Sequence, residues 1–426
     1  MDGICTYPVQ EYNKRFIACP IEVKYPSSID ELSNAIVDCN GWVIYSGGHS
    51  YEGQSLSNCV IINLSRINMI HIIPRGISMN RDVMKAGYAF IQTGSNIEHM
   101  YETLGSQGLV IPAGTCPTVA IGGLSLSGGI GFLSRRLGLT LDNVVGMEVI
   151  LSNGEIKYID KDNHSDLFWT TRGGGGSFCA MVSTKIKTYH IPIATTLQIR
   201  WKMNVDVLMQ LQEWAFNISN NLTCSIQINI NTIIVHGLSI GDKNRTQSYI
   251  QPILSDSVES IELEEMSGVD AVKSLEDASL RPTAFKAKSG IANRYVPYDF
   301  FINILESLHN QPPNDGIAIT IFPMGGKVNQ VHRKETAFYH RKSIFWIQIV
   351  IHWDDPQLEE GCLQWVNYLH SKIKPYLSPY VYPNWPDMDI IDYEHAYYGS
   401  NIKRLKHIKH KYDPNNRFKF KQSISP

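Results

Sequence analysis

Apolar and polar positions change their rhythm once along this chain. Over residues 28–37, Ile29, Leu32, Ile36 and Val37 recur at helical spacing, and Ser27, Ser28 or Asp30 can cap the start. Residues 95–104 form a second amphipathic helix pattern. Short runs such as Trp42-Val43-Ile44-Tyr45 and Val60-Ile61-Ile62-Asn63-Leu64 read as strands. This strand–helix alternation predicts an α/β or α+β unit up to about residue 195. Beyond Pro192 the period becomes two. Residues 197–203, 224–230, 233–240, 317–322 and 343–353 alternate, as strands of an antiparallel sheet do when one face is open. In the last of these, Trp346, Gln348 and Val350 share one face, and Ile347, Ile349 and Ile351 the other. Helical stretches at 205–218, 298–308 and 358–373 would back that sheet, and a basic helical tail covers 401–410.

Composition narrows the class. A chain of 426 residues is long enough for two or three domains and for a core that needs no metal or disulfide. Its 38 basic and 40 acidic side chains leave a net charge of -2, which gives no electrostatic case for nucleic acid or an acidic membrane. No apolar run approaches the roughly 20 residues that span a bilayer. The eight cysteines contain no CxxC pair, so zinc and thioredoxin-type sites are disfavoured and no metal site is expected. Met1-Asp2-Gly3-Ile4-Cys5 shows no secretory signal, so an intracellular location with mostly buried thiols is the expectation. Asn-x-Ser/Thr triplets at Asn217 and Asn221 keep a lumenal or extracellular location open.

Three glycine clusters carry the chemistry. Ser46-Gly47-Gly48-His49-Ser50-Tyr51 follows a strand, where glycines let backbone N–H groups approach an anion closely. A histidine in such a turn can also be structural. The second cluster runs from Pro112 through Gly114, Thr115, Cys116, Thr118 and Val119 to Gly122-Gly123, then Gly128, Gly129 and Gly131. So much glycine argues against helix or ordinary strand and for a backbone cradle around a pyrophosphate. Neither GxGxxG nor GxxxxGK[ST] occurs there, so Rossmann and P-loop folds are not expected. Taken alone, Cys116 reads as a small buried hydrophobe. The third cluster is Gly173 to Gly176, preceded by Asp166-Leu167-Phe168-Trp169.

In this order the clusters resemble the FAD-binding domain of the vanillyl-alcohol oxidase or p-cresol methylhydroxylase type, and within it the berberine bridge enzyme-like oxidases. The resemblance continues through Phe285-Lys286-Ala287-Lys288-Ser289, Pro323-Met324-Gly325-Gly326, Thr336 to Arg341, Tyr397 to Asn401 and Asp413 to Ile424, so it spans essentially the whole chain. It implies an α+β, two-domain p-cresol methylhydroxylase-type fold. An FAD-binding domain would cover 1–195 and be completed by 390–426, with an antiparallel-sheet substrate domain, backed by helices, over 196–389. His49 and Cys116 occupy the two positions that bond covalently to FAD, at its 8α-methyl group and C6. Imidazole and thiolate are nucleophiles suited to that attachment. Ser46, Gly47, Gly48, Ser50, Gly114, Thr115, Thr118, Gly122, Gly123, Gly128, Gly129, Gly131, Asn143, Val182, Tyr398 and Asn401 are the further cofactor positions implied. Val119 falls where the family has its oxygen gate, and valine there goes with oxidases.

For the substrate, the resemblance makes Tyr382 the base, with Gln348 and Tyr51 orienting. A phenol with pKa near 10 must be stabilised as phenolate or assisted to act near neutrality. The implied reaction oxidises an alcohol or hemiacetal carbon by hydride transfer to flavin N5 and reduces oxygen to hydrogen peroxide. Partners would be a small-molecule substrate and oxygen. Trp346 and Trp385 could stack on sugar rings, which favours an oligosaccharide, although such aromatics also suit an alkaloid or polyketide. Trp385, Tyr339 and Trp346 depart from the family pattern, all on the substrate side. A dehydrogenase serving another acceptor and a non-catalytic flavin-binding protein are the rival readings.

Overall fold

The period-two strands beyond Pro192 assemble into one seven-stranded antiparallel sheet in the computed structural model, which describes residues 8–74, 82–276, 281–310 and 312–426. The strand order is Val258–Met266, Ala194–Lys202, Thr232–Ile240, Leu222–Ile228, Ile317–Pro323, Phe345–Trp353 and Ala284–Ala292. Helices Val205–Asn217, Tyr298–His309 and Glu359–Ile373 bury one face, where Ile226, Ile319, Ile347 and Ile349 share a core with Leu208, Phe300 and Val366. Each such side chain contributes about 1.5–3 kcal/mol by leaving water. The opposite face carries Gln348 and Val350; the short helix Gly268–Ser274 covers one end of it, where Ala271 and Val272 share a core with Ala194, Leu238 and Ile240, and the rest looks toward the first half of the chain.

That half builds three smaller sheets among the described residues, the least of them the antiparallel pair Val9–Gln10 and Ile17–Ala18. Glu22–Lys24, Val60–Asn63 and Trp42–Tyr45 pair in parallel. Ile70–Pro74, Met84–Gln92, Ala180–His190, Val144–Ile150 and Ile156–Asp160 form an antiparallel five-stranded sheet in that order. The strand Val144–Ile150 was silent in the sequence because core residues fall on both of its faces: Val144, Met147, Val149 and Ile150 are all buried. The two amphipathic helices run Ile29–Asp38 and Ile97–Gly105, with Ser28 and Asn96 as N-caps that accept from Glu31 N–H and His99 N–H. Against expectation, the second glycine cluster does contain a helix, Ile121–Ser127, with Gly122 and Gly123 in its first turn. Gly122 answers to packing: a Cβ there would collide with Thr93 Oγ1 and Ser46 Oγ.

Charged side chains fasten the two halves. Arg341 forms a bidentate pair with Asp142 at 2.6 and 2.8 Å, both side chains buried. Arg135 donates to the carbonyl oxygens of Phe216, Ile218 and Met324, so its charge caps the C-terminal end of the helix Val205–Asn217. The chain then returns: Lys409 Nζ donates to Asp413, Ser177 O and Phe418 O, and Phe418 packs edge-on against Trp42 at 5.1 Å.

Six cysteines carry reduced thiols, and Cys39, Cys179, Cys224 and Cys362 are buried. Cys19 is disulfide-bonded, so the reduced state expected of an intracellular chain does not extend to it. Cys5 lies outside the described residues. Among the described residues no helix is long and apolar enough to cross a membrane.

Glu11 generates a stability prediction. It is 3% exposed, one carboxylate oxygen accepts from Ser55 N–H at 3.1 Å and the other has no hydrogen-bond partner. Burial pushes its carboxyl up to about 7. A raised carboxyl stabilises the fold below its unfolded value near 4.5, and that contribution is lost as pH climbs to 7. Glu11→Gln should therefore match the parent near pH 4.5 and exceed it by roughly 3 kcal/mol above pH 7, a gap that denaturant melts across this range would measure. A gap independent of pH would show that Glu11 is ionised in the fold.

Candidate active site

The open sheet face and the glycine-rich loops enclose a cavity of about 1040 Å³, closed at one end by Phe418, Lys419, Phe420 and Gln422 of the returning tail. Gly114, Gly123, Gly175 and Gly176 line it, and a Cβ at any of them would meet no protein atom closer than 3.5 Å. These four are bare wall. Gly47, Gly122 and Gly131 also line the cavity, but their missing side chains make room for Ala120, Thr93 and the Ala113 carbonyl. Gly128 and Gly129 accommodate Tyr382 and Thr140 instead. Among the described residues the amide N–H groups of Gly47, Gly48, His49 and Ser50 find no acceptor. A run of unsatisfied N–H groups against a glycine wall is a cradle for an anionic, flat-faced group. The residues present fit FAD.

His49 and Cys116 reach this wall together. His49 Nε2 lies 2.8 Å from Thr118 Oγ1, and Cys116 Sγ lies 3.8 Å from the same oxygen. The imidazole stacks on Tyr12 with centroids 4.2 Å apart, and burial pulls its pKa down to about 4, which keeps it neutral and nucleophilic at pH 7. Ser46, Ser50, Thr115, Val119 and Tyr398 line the cavity as well. Asn143, Val182 and Asn401 do not. Asn143 ties Leu137 and Leu139 carbonyls to the Tyr189 hydroxyl, Val182 is core, and Asn401 donates to Ala337 O.

On the substrate side Gln348 Nε2 donates to the Tyr51 hydroxyl at 2.9 Å. Tyr382 is 2% exposed, and its oxygen accepts from Gly129 N–H at 2.7 Å and Asn384 Nδ2 at 3.1 Å. Burial pushes this phenol up to about 12, and the two donors oppose that rise only in part. Trp346 stacks behind the Tyr382 ring at 4.5 Å and is fully buried. The expectation that Trp346 stacks on a substrate is therefore corrected, because Tyr382 and Phe338 cover it; Trp385 does line the cavity.

The sheet adds residues that the sequence did not single out. Gln348 pairs across strands with Thr320, and Thr320 with Gln227. In the neighbouring row Ser225 pairs with His236, His236 with Gln198 and Gln198 with Glu262. All line the cavity. The alternation placed these strands' polar positions on one face, but only strand order brings the faces together.

A second missed feature is a buried charge network. Lys286 Nζ contacts Glu52 and Asp387, each at 2.7 Å, and Lys288 Nζ contacts Asp387 at 2.9 Å. Glu52 follows Tyr51, and Asp387 ends the segment begun by Tyr382. The signal was the pair of lysines at alternate positions in Phe285-Lys286-Ala287-Lys288-Ser289, on the helix-covered side of the sheet.

A cavity walled by glycine backbone, with two nucleophiles on one side and a sheet on the other, defines an FAD-linked oxidoreductase. Comparison with known proteins agrees. Residues 20–160 match the FAD binding domain model, and residues 381–425 the model described as berberine and berberine like. An uncharacterized FAD-linked oxidoreductase of Bacillus subtilis is 31% identical, over 90% of this chain and 85% of that one. Reticuline oxidase of Papaver somniferum is also 31% identical, over 97% and 85%. The structure of glucooligosaccharide oxidase from Acremonium strictum, described with a 6-S-cysteinyl, 8α-N1-histidyl FAD, superposes with a TM-score of 0.87 at 25% identity, covering 98% and 94%. This chain belongs to the berberine bridge enzyme-like family of FAD-linked oxidases.

Lys286→Met would leave Glu52 and Asp387 buried with one ammonium fewer. A loss of about 3 kcal/mol or more in chemical denaturation is expected, the usual scale for breaking a buried pair. An unchanged midpoint would show that the carboxylates are already protonated.

Proposed function

We propose that this protein is an oligosaccharide oxidase holding FAD through both His49 and Cys116. The observation that carries the substrate class is the pair of polar rows on the open sheet face. They run from Gln348 beside Tyr51 out to Glu262 on the edge strand, five strand spacings away, or roughly 24 Å. Hydroxyl, amide and imidazole groups spread over that length suit a chain of sugar hydroxyls better than a compact apolar molecule. The glucooligosaccharide oxidase resemblance supports both the tethers and the substrate class.

Bound FAD supplies a two-electron acceptor that takes a hydride equivalent and is reoxidised by dioxygen, giving hydrogen peroxide. The protein's part is position and proton control. Tyr51 and Gln348 hold each other and keep the hydroxyl proton and amide carbonyl for the substrate. Tyr382, held as phenolate by Gly129 N–H and Asn384 Nδ2, takes the proton of the hydroxyl being oxidised. Val119, beside Cys116, leaves dioxygen a path. A secondary metabolite is the second reading, favoured by the aromatic wall of Trp385 and Phe322.

Three results are expected. Flavin should remain on the protein after denaturation, seen as added intact mass; release would refute the tethers. Aerobic assays across a panel of sugars should yield peroxide with oligosaccharides, and peroxide from an aromatic amine alone would establish the second reading. Because the Tyr382 phenol sits near 12, anaerobic flavin reduction by substrate should accelerate with pH through the neutral range without levelling below pH 9. Tyr382→Phe should slow it roughly 100-fold and flatten that profile. A profile that keeps its slope in the variant would assign the proton to another group.

A further inference from the structure

One hydroxyl serves both nucleophiles. Thr118 Oγ1 is 2.8 Å from His49 Nε2 and 3.8 Å from Cys116 Sγ. A hydroxyl has one proton to give and lone pairs to receive. Both contacts are satisfied when Nε2–H donates to Oγ1 and the hydroxyl proton points at the sulfur, as they are when Sγ–H donates to Oγ1 and the hydroxyl donates to Nε2; only the first leaves a lone pair on Nδ1. His49 Nδ1 makes no hydrogen bond among the described residues, so nothing there competes for a lone pair on it. The Tyr12 ring, 27° from parallel with the imidazole, resists a flip that would exchange the two nitrogens.

We propose that Thr118 is the positioning residue for flavin attachment: it selects His49 Nδ1 as the bonding nitrogen, receives the proton that Nε2 must lose, and steadies the Cys116 sulfur. The proposal rests on the reading of His49 and Cys116 as tethers. Each attachment breaks one C–H bond of the flavin and one N–H or S–H bond of the side chain, and forms one C–N or C–S bond. The two protons and two electrons released go to dioxygen as hydrogen peroxide, so no other oxidant is needed. Alkylation at Nδ1 would leave a half-buried imidazolium unless the Nε2 proton departs, and Thr118 Oγ1 is the acceptor in contact with it. A solvent-exposed side chain can pass that proton on to water, and Thr118 is exposed.

Thr118→Val keeps the branched shape and removes the hydroxyl; Thr118→Ser restores it. Full-length protein would be sampled through expression and again after incubation with added FAD. Denatured intact mass and mapping of the His49 and Cys116 peptides would then give the fraction linked at each residue. A lost hydrogen bond of about 1.4 kcal/mol corresponds to a tenfold slower attachment. Thr118→Val should accordingly accumulate protein with flavin missing at His49, while Thr118→Ser behaves like the parent. Equal linkage in parent and Thr118→Val at every time would overturn the role of Thr118 and leave the tethers standing. Absence of linked flavin in the parent would instead overturn the tether reading. Thr118→Ala offers the same comparison should the valine variant fail to accumulate.

Discussion

The buried charges at Lys286 and Lys288 are the constraint on which the rest of the site depends. Two buried ammonium groups on one strand call for carboxylates, and these come from two distant segments, at Glu52 and at Asp387 with Asp389. Satisfying the lysines therefore draws the His49–Tyr51 loop, the Tyr382 segment and the edge of the large sheet to one point. A hydrophobic contact would tolerate sliding; ammonium–carboxylate bonds at 2.7 Å do not. Asp387 is further held through Tyr397 and Gln422, which brings the returning tail into the same arrangement. Arg341 with Asp142 and Arg135 at the helix end repeat the device on the other flank of the cavity.

Much of this was legible from the residues. Period-two alternation in 343–353 fixed which face Gln348 would share, and Ser28 announced a helix start because a serine oxygen there can accept from Glu31 N–H. Other features could not be read locally. Trp346 looked like a substrate platform because alternation set it beside Gln348, yet the same face also has to back Tyr382, which lies 36 residues further on and covers it. Gly122 and Gly123 looked incompatible with a helix because glycine propensity is a local quantity, whereas Thr93 and Ser46 across the fold leave no room for a side chain at 122 and the cavity lies open at 123. The polar rows needed strand order, which no one strand contains.

The two sides of the cavity are made of different material. The wall that fits the cofactor is mostly main chain, with glycines that present vacant Cβ positions and amide groups. The opposite wall is side chains on a sheet whose hydrogen-bonded frame does not depend on their identity. A mutation on the first wall alters the shape of the backbone itself, while one at Gln227, Ser225 or Gln198 changes only what projects from a frame that stays put. Drift and selection can then rewrite what the enzyme accepts, one outward-pointing residue at a time, while its redox machinery is inherited unchanged.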